Sequence, residues 1–348
     1  MRITRRRLLI LLGTLGAGLK PPGLVAARES LARFEFSEPH MGTMFKLVLY
    51  ASSPTLATAA SRAAFDRIAA LDRIMSDYDE NSELMRLCRA AGGPAVEIST
   101  DLCRVMTAAQ ELSRRSDGAF DITVGPVVQL WRRARRQHEL PEPDRLAAAL
   151  ELVGYENVHL DPKARRAQLL KPGMRLDLGG IAKGDAADRA LLVLERYHIP
   201  QALVAAAGDI AAGDPPPGRD WEIGIETFES PAVLPSRFIG LHNSAVSTSG
   251  DSEQHVEIGG VRYSHIVDPK TGTALTGRRS VTVTARHGIT ADCYATALCV
   301  LGHERGLRLI RDTPDTAALI TEDEAGAVHE YRSAEFLLMT SSASADAR

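Results

Sequence analysis

Aromatic residues are scarce in this 348-residue chain, at 5%. That argues against a surface that recognises nucleic acid by stacking bases. Charge does not lean one way either: 41 Lys and Arg face 44 Asp and Glu, for a formal net charge of -3. No overall field therefore favours a polyanionic partner. The arginine run Arg132, Arg133, Arg135 and Arg136 is local and reads as a solvated helix face. Four cysteines are present, Cys88, Cys103, Cys293 and Cys299, but no C-x-x-C pair, which removes the common redox and zinc spacings. Cys293 and Cys299 sit in an apolar segment and read as buried thiols; a Cys88–Cys103 bridge is permitted in an oxidising compartment. Two glycine-rich phosphate motifs are missing as well. "DLGGIAKGDAADR", Asp177 to Arg189, is neither G-x-G-x-x-G nor a P-loop, since Asp185 stands where a P-loop carries its hydroxyl.

Long apolar runs are absent except at the start. "MRITRRRLLILLGTLGAG" sets Arg5 to Arg7 before an apolar stretch from Leu8, with small residues at Val25 to Ala27. This order reads as an export signal over residues 1–27, and "TRRRLL" has the twin-arginine form. The stretch is short for a membrane-spanning helix. The expectation is a periplasmic chain, exported across the inner membrane and membrane-associated if the signal is retained. The remainder, with 45% hydrophobic residues, suits a sizeable core over residues 28–340, followed by a disordered Ser/Ala tail at 341–348.

Patterning predicts a strand before His40, a break at His40 to Thr43, and a second strand from Met44. Helices are expected over Pro54 to Leu87, Thr100 to Arg115, Gly179 to Tyr197 and Ile289 to Ile310. "DGAFDITVGPVVQLW" mixes turn residues with short apolar runs. Strand patterns recur in "ALVAAAGDIAAG", "WEIGIET", "SAVSTSG", "YSHIVDP", "RRSVTVTA" and "AALIT", with an exposed loop at Pro215 to Pro217. No regular strand–helix repeat emerges, so the fold class is mixed α+β rather than a doubly wound sheet or barrel.

Three clusters carry candidate chemistry. Gly179, Gly180 and Gly184 allow a ligand close to the backbone, with Lys183 adding a cation and Asp177 an acceptor. The same pattern also describes a tight strand-to-helix turn with an exposed lysine. In "GITADCYATALCVLG", Asp292 and Thr296 are four apart and share one helix face. A carboxylate and a hydroxyl are hard donors suited to Mg²⁺, though a solvent-facing pair would look the same. In "YSHIVDPKTG", His265 ends a strand before a turn, where a general base can be presented; isolated histidines more often serve structure. Tyr78, Phe120 and Asp121 lie beside turns, and an aromatic there could stack on a flat ring.

Taken together, "HMGT" (40–43), "MSDYDENSEL" (75–84), "DGAFDITVGP" (117–126), "DLGGIAKGDAADR" (177–189), "GDIAAG" (208–213), "STSG" (247–250), "HIVDPKTG" (265–272) and "ADCYATAL" (291–298) resemble the motif series of the ApbE family. These are FAD:protein FMN transferases, and the resemblance spans about residues 34–340. It implies an α+β, ApbE-like fold related to the T-fold type, in a compact two-lobed catalytic unit. It also implies Mg²⁺-dependent transfer of FMN from FAD to a threonine or serine of an acceptor protein, releasing AMP. By the same resemblance, the carbonyl of Gly180 and the side chains of Asp292 and Thr296 hold the metal. Met41, Tyr78, Ala119, Phe120, Asp121, Asp177 and Lys183 contact FAD, as does the backbone around Ile266 and Val267. His265 takes the acceptor's hydroxyl proton.

The implied acceptor is an outward-facing domain of a membrane electron-transfer or respiratory regulatory protein. One departure stands out: the family often has N-x-G-G-D-I, whereas this chain has Ala207 in place of the first glycine, and alanine resists positive φ. Two other readings of the same residues are Mg²⁺-dependent hydrolysis of FAD to FMN and AMP, and an exported FAD-binding protein without catalysis.

Overall fold

Period-two alternation builds the main layer. Ala32–His40 (β1) and Thr43–Ala51 (β2) form a hairpin whose turn residues, Met41 and Gly42, have φ of 49° and 74°, as a two-residue hairpin turn requires. Along β2, Phe45, Leu47 and Leu49 face one side and Val48 and Tyr50 the other. The structure is a computed structural model describing residues 31–216, 218–225, 237–250, 255–324, 326–336 and 339–340. The expected export signal, the tail and Pro217 lie outside the described residues.

Pro54–Met75 (α1) stops at Ser76, well short of the expected Leu87. Ser76 Oγ accepts from the N–H groups of Tyr78 and Asp79, and Ser82 Oγ caps a separate helix, Glu83–Arg89 (α2), by accepting from Met85 N–H at 3.0 Å. Short polar side chains thus offer the backbone other partners, and Tyr78 is left on a loop. Val96–Glu97 (β3) precedes Thr100–Arg115 (α3), whose bounds match the pattern. A 3-10 turn at Ile122–Val124 leads into Gly125–Gln137 (α4), which carries the arginine run as a helix but starts earlier, within the segment read as turns and short apolar runs. Pro126 in its first turn is a helix-starting signal that the apolar pattern masked. Pro143–Leu150 (α5), Val158–Asp161 (β4) and Arg166–Leu169 (β5) follow.

Ala182–Arg196 (α6) begins at Ala182 rather than Gly179, because Asp177 Oδ1 accepts from Gly179 N–H at 2.8 Å and closes a turn first. Strands Ala202–Ala206 (β6), Asp209–Ala212 (β7), Trp221–Ile225 (β8), Arg237–Leu241 (β9) and Ser244–Gly250 (β10) come next. His255–Ile258 (β11), Val261–Val267 (β12), Ala274–Thr276 (β13) and Arg279–Ala285 (β14) precede Gly288–Arg311 (α7), which is kinked at Gly302 with φ 72°. Ala317–Glu324 (β15), Ala327–Arg332 (β16) and Met339–Thr340 (β17) complete the described elements.

The large sheet runs β1-β2-β6-β7-β10-β14-β15-β16, each neighbouring pair antiparallel. The mixed α+β class is borne out. Helices α1, α6 and α7 cover one face over a core that includes Leu47, Leu49, Val204, Val281 and Leu298. On the other face Val48, Leu203, Val246 and Leu319 meet Trp221, Ile225 and Ile239 of the small β8-β9-β17 sheet. A third apolar group joins Val127 and Trp131 of α4 to Val267 and Ala274 beside the β12-β13 turn. All four cysteines are buried, and none is in a disulfide. Cys88 Sγ accepts from Leu176 N–H at 3.3 Å whereas Cys103 lies near Pro162 O, so the permitted Cys88–Cys103 bridge is not formed.

Candidate active site at the α6–α7 crossing

Helices α6 and α7 touch backbone to backbone. A β-carbon at Gly184 would lie 2.1 Å from the Gly288 carbonyl oxygen and 2.8 Å from Asp292 Cβ, so only glycine permits the contact. Gly184 N–H donates to Asp292 Oδ2 at 2.9 Å. Asp188, also on α6, accepts from the N–H groups of Gly288 (2.7 Å) and Ile289 (3.0 Å), satisfying the free donors at the start of α7. One turn back, Asp185 is fully buried and takes both arms of Arg104 at 2.8 and 2.7 Å, tying α6 to α3. The residue that broke the P-loop pattern is therefore a structural ion pair.

The expected pair Asp292 and Thr296 does share a face of α7, and that face meets the Gly179–Gly180 turn. A β-carbon at Gly180 would come within 2.9 Å of Thr296 Oγ1. Ser249 of β10 lies 3.4 Å from the same hydroxyl. Asp292 is 2% exposed, and its carboxyl is pushed up to about 7, by burial first and then by the negative charge of Asp209, against Lys183. Lys183 pairs with Asp209 and stands 3.9 Å from Asp292 Oδ1. Asp209 in turn accepts from Ser247 Oγ at 2.5 Å, the two being register partners across β7 and β10. Two buried carboxylates thus share one lysine, an arrangement that favours further positive charge.

Among the described residues, no group of three or more His, Cys, Asp or Glu gathers as a metal cluster. The Asp292 carboxylate and the Thr296 hydroxyl are hard oxygen donors of the kind that suits Mg²⁺, which binds through few carboxylates and keeps positions for water and phosphate oxygens.

Beside the crossing lies a more open rim. Asp177 Oδ2 accepts from Arg132 Nη2 at 2.7 Å, and Asp77 pairs with the other arm of the same guanidinium. Burial, then the charge of Asp177, pushes the Asp77 carboxyl up. The Arg132 guanidinium carbon sits 4.5 Å from the centroid of the Tyr78 ring, which is 77% exposed. Arg132 is thus no part of a solvated face: its side chain is 17% exposed and joins two carboxylates and an aromatic ring. Phe120 is buried in the main core. Asp121 accepts from Thr123 N–H and Oγ1 and from Tyr155 N–H, and burial pushes its carboxyl up. Of the two aromatics weighed for stacking, Tyr78 alone presents its ring. Met41 lies at the β1-β2 turn, its N–H donating to Asp72 Oδ2 at 2.9 Å, and Ala119 is buried beside Phe120.

His265 is half-buried on β12, where pairing with β13 shifts register between Tyr263 and Val267. Its neighbours Ser264 and Ile266 line a cavity of about 100 Å³ together with Gly250, Arg279, Cys299 and Glu322, so alternation turns His265 to the opposite side. Ile266 N–H donates to Ser264 Oγ at 3.1 Å, and Val267 is buried in the third apolar group. The following turn is fixed by Asp268 Oδ1, which accepts from Lys270 N–H, and by Trp131 Nε1, which donates to Gly272 O at 2.8 Å.

The model of the ApbE family matches residues 41–320. The chain belongs to the ApbE family. Among curated relatives, it is 33% identical to the FAD:protein FMN transferase of Haemophilus influenzae, over 89% of this chain and 93% of that protein. A second, from Treponema pallidum and of the same description, is 31% identical over 85% and 86%. Among solved structures, the flavin transferase ApbE from Vibrio cholerae superposes with a TM-score of 0.76 at 30% identity, covering 88% of this chain and 98% of that one. The ApbE protein of Thermotoga maritima gives 0.76 at 31%, covering 86% and 97%.

The segments around Tyr78, Asp177 to Lys183, Asp209, Ser247 to Ser249 and Asp292 to Thr296 thus meet at the crossing and rim, whereas Met41 and His265 take no part in these contacts. Residues that sequence reasoning missed are Asp209 and Ser247, joined by strand register, the contacts of Asp209 with Lys183 and of Ser249 with Thr296, made between sheet and helix, and the Asp77–Arg132 pair. The expected departure at Ala207 is real: it turns the β6-β7 hairpin with φ 53°, next to Asp209.

Proposed function

We propose that this chain is an FAD:protein FMN transferase, working on FAD and on a threonine or serine of an acceptor protein. The observation that carries the reading is the convergence of Gly180, Lys183, Asp292 and Thr296 at one backbone-to-backbone helix crossing, in a chain of the ApbE family. The family relatives named above support it.

In the proposed reaction the acceptor hydroxyl oxygen attacks the phosphorus of the FMN half of FAD. A phosphoester P–O bond forms, the pyrophosphate P–O bond breaks, and AMP leaves. The hydroxyl proton passes to neutral His265, a suitable base near neutral pH. Lys183 offsets phosphate charge, and Tyr78 gives its free face to a ring of FAD. Met41, Ala119, Phe120, Asp121, Ile266 and Val267 would bound the FAD pocket; Phe120 and Asp121, being buried and engaged, would act through main-chain atoms. Asp292, Thr296 and the Gly180 carbonyl would hold Mg²⁺. When bound, that ion neutralises pyrophosphate oxygens and eases departure of AMP. The remainder of catalysis is alignment of nucleophile and leaving group.

We place the reaction outside the inner membrane, following the twin-arginine form of residues 1–27, with an outward-facing domain of a membrane electron-transfer or respiratory regulatory protein as acceptor. Among the described residues no helix is long and apolar enough to cross a membrane. Incubation with FAD, Mg²⁺ and a flavin-acceptor domain should shift the acceptor mass by one FMN and release one AMP per transfer. AMP release at full rate without acceptor would instead identify a FAD pyrophosphatase. FAD binding with no AMP under either condition would identify a binding protein.

A further inference from the structure

The Asp77–Arg132–Asp177 bridge is not explained by packing alone. It joins the loop after α1, the helix α4 and the turn before α6 at one guanidinium, whose carbon lies 4.5 Å from the centroid of the Tyr78 ring. Each polar partner is largely enclosed, at 17%, 15% and 10% side-chain exposure for Arg132, Asp77 and Asp177. Tyr78 is the opposite: its ring is left open at 77% exposure. A cation under one face of an aromatic ring fixes the ring plane, and a guanidinium suits this work because it is planar and presents donors in a fixed fork. A lysine in its place could not bridge both carboxylates and lie flat beneath the ring. Without any cation, Asp77 and Asp177 would face each other as like charges. Arg135, on the same helix, has its charge disfavoured by burial and then by Arg132 itself.

We infer that Arg132 is a positioning residue for FAD: it holds the Tyr78 ring from beneath and fixes the Asp177 carboxylate, so that the rim meets the flavin donor already ordered. The inference rests on the reading of this rim as an FAD site. It assigns Arg132 no contact with the reacting phosphorus.

FAD affinity, followed by flavin fluorescence, and steady-state transfer kinetics test it. Arg132→Met should weaken FAD binding about tenfold, the scale of one lost ordering contact. Its KM for FAD should rise more than its kcat falls. Arg132→Lys should fall between the two. Adding Asp77→Asn to Arg132→Met should recover part of the affinity, by removing the like-charge repulsion. On a Tyr78→Ala background, Arg132→Met should cost less than in the native chain, because the two residues act together. If Arg132→Met does not fold, judged by its circular dichroism and melting, the lysine variant carries the same comparisons.

Unchanged FAD affinity in a folded Arg132→Met overturns the inference. So does a loss that Asp77→Asn does not relieve and Tyr78→Ala does not reduce, which would mark a purely structural bridge. A native chain that binds no FAD overturns the functional reading and this inference together. A native chain that binds FAD but transfers nothing sinks only the functional reading, since the affinity arms still decide the role of Arg132.

Discussion

The α6–α7 crossing and the Tyr78 rim share one short stretch of chain, from Asp177 to Asp188, yet they are built on opposite rules. At the crossing, glycine backbones touch, Asp292 and Asp188 are buried, and their oxygens accept main-chain N–H bonds. At the rim, the acceptor Asp177 and the open ring of Tyr78 are held by one long side chain reaching from α4. On the proposed reading, a small hard ion is served by side chains locked by main-chain hydrogen bonds, because a shift of a few tenths of an ångström alters its coordination. A large flat substrate that must enter and leave meets an open ring ordered from behind. The crossing is therefore expected to be sensitive to volume and the rim to charge.

Gly184→Ala should break that contrast most severely. The added methyl collides with backbone at 2.1 Å, which no side-chain rotation relieves. A loss of about 3 kcal/mol is expected from overpacking, read as a lower urea midpoint, together with loss of transfer. A native midpoint would show that the helices are not in backbone contact. His265→Ala comes next: transfer should slow about a hundredfold, the usual worth of a general base, with FAD affinity retained. Normal transfer rates would remove His265 as the base.

Asp188→Ala should cost about 1 kcal/mol, the typical value of a helix cap, by freeing the N–H groups of Gly288 and Ile289. An unchanged melting temperature would mean that other groups satisfy these donors. The smallest effect is a gain. Ala207→Gly should stabilise the chain by roughly 1 kcal/mol, because alanine at φ 53° pays a left-handed penalty that glycine avoids. A lower melting temperature would indicate that the strained turn is compensated by contacts of the methyl group.

These positions also show how far the sequence could be read. Asp292 and Thr296 were legible because a spacing of four lies on one helix face whatever the tertiary fold. His265 was legible as a residue near a strand end before a strong Asp-Pro turn, although β12 runs on to Val267. Asp209 was not, since its partners Ser247 and Lys183 come from a strand register and a helix far along the chain. Arg132 was misread because arginines at neighbouring helical positions resemble a solvated face. The carboxylates that bury it belong to other segments. The break in the first long helix was missed for a related reason. Apolar spacing continues to Leu87, whereas the side-chain bonds of Ser76 and Ser82 give the backbone other partners and leave Tyr78 on a loop. Local pattern predicts elements well, while partners supplied by topology require the fold.

The central claim, that the buried crossing holds the ion while the rim holds the flavin donor, is tested most directly by titrating Mg²⁺ against Asp292→Ala at saturating FAD. The variant should still bind FAD yet lose transfer at least about a hundredfold, as loss of a preorganised electrostatic contact predicts, at every Mg²⁺ concentration up to millimolar. Transfer by the variant with the native rate and the native half-saturating Mg²⁺ would contradict the account.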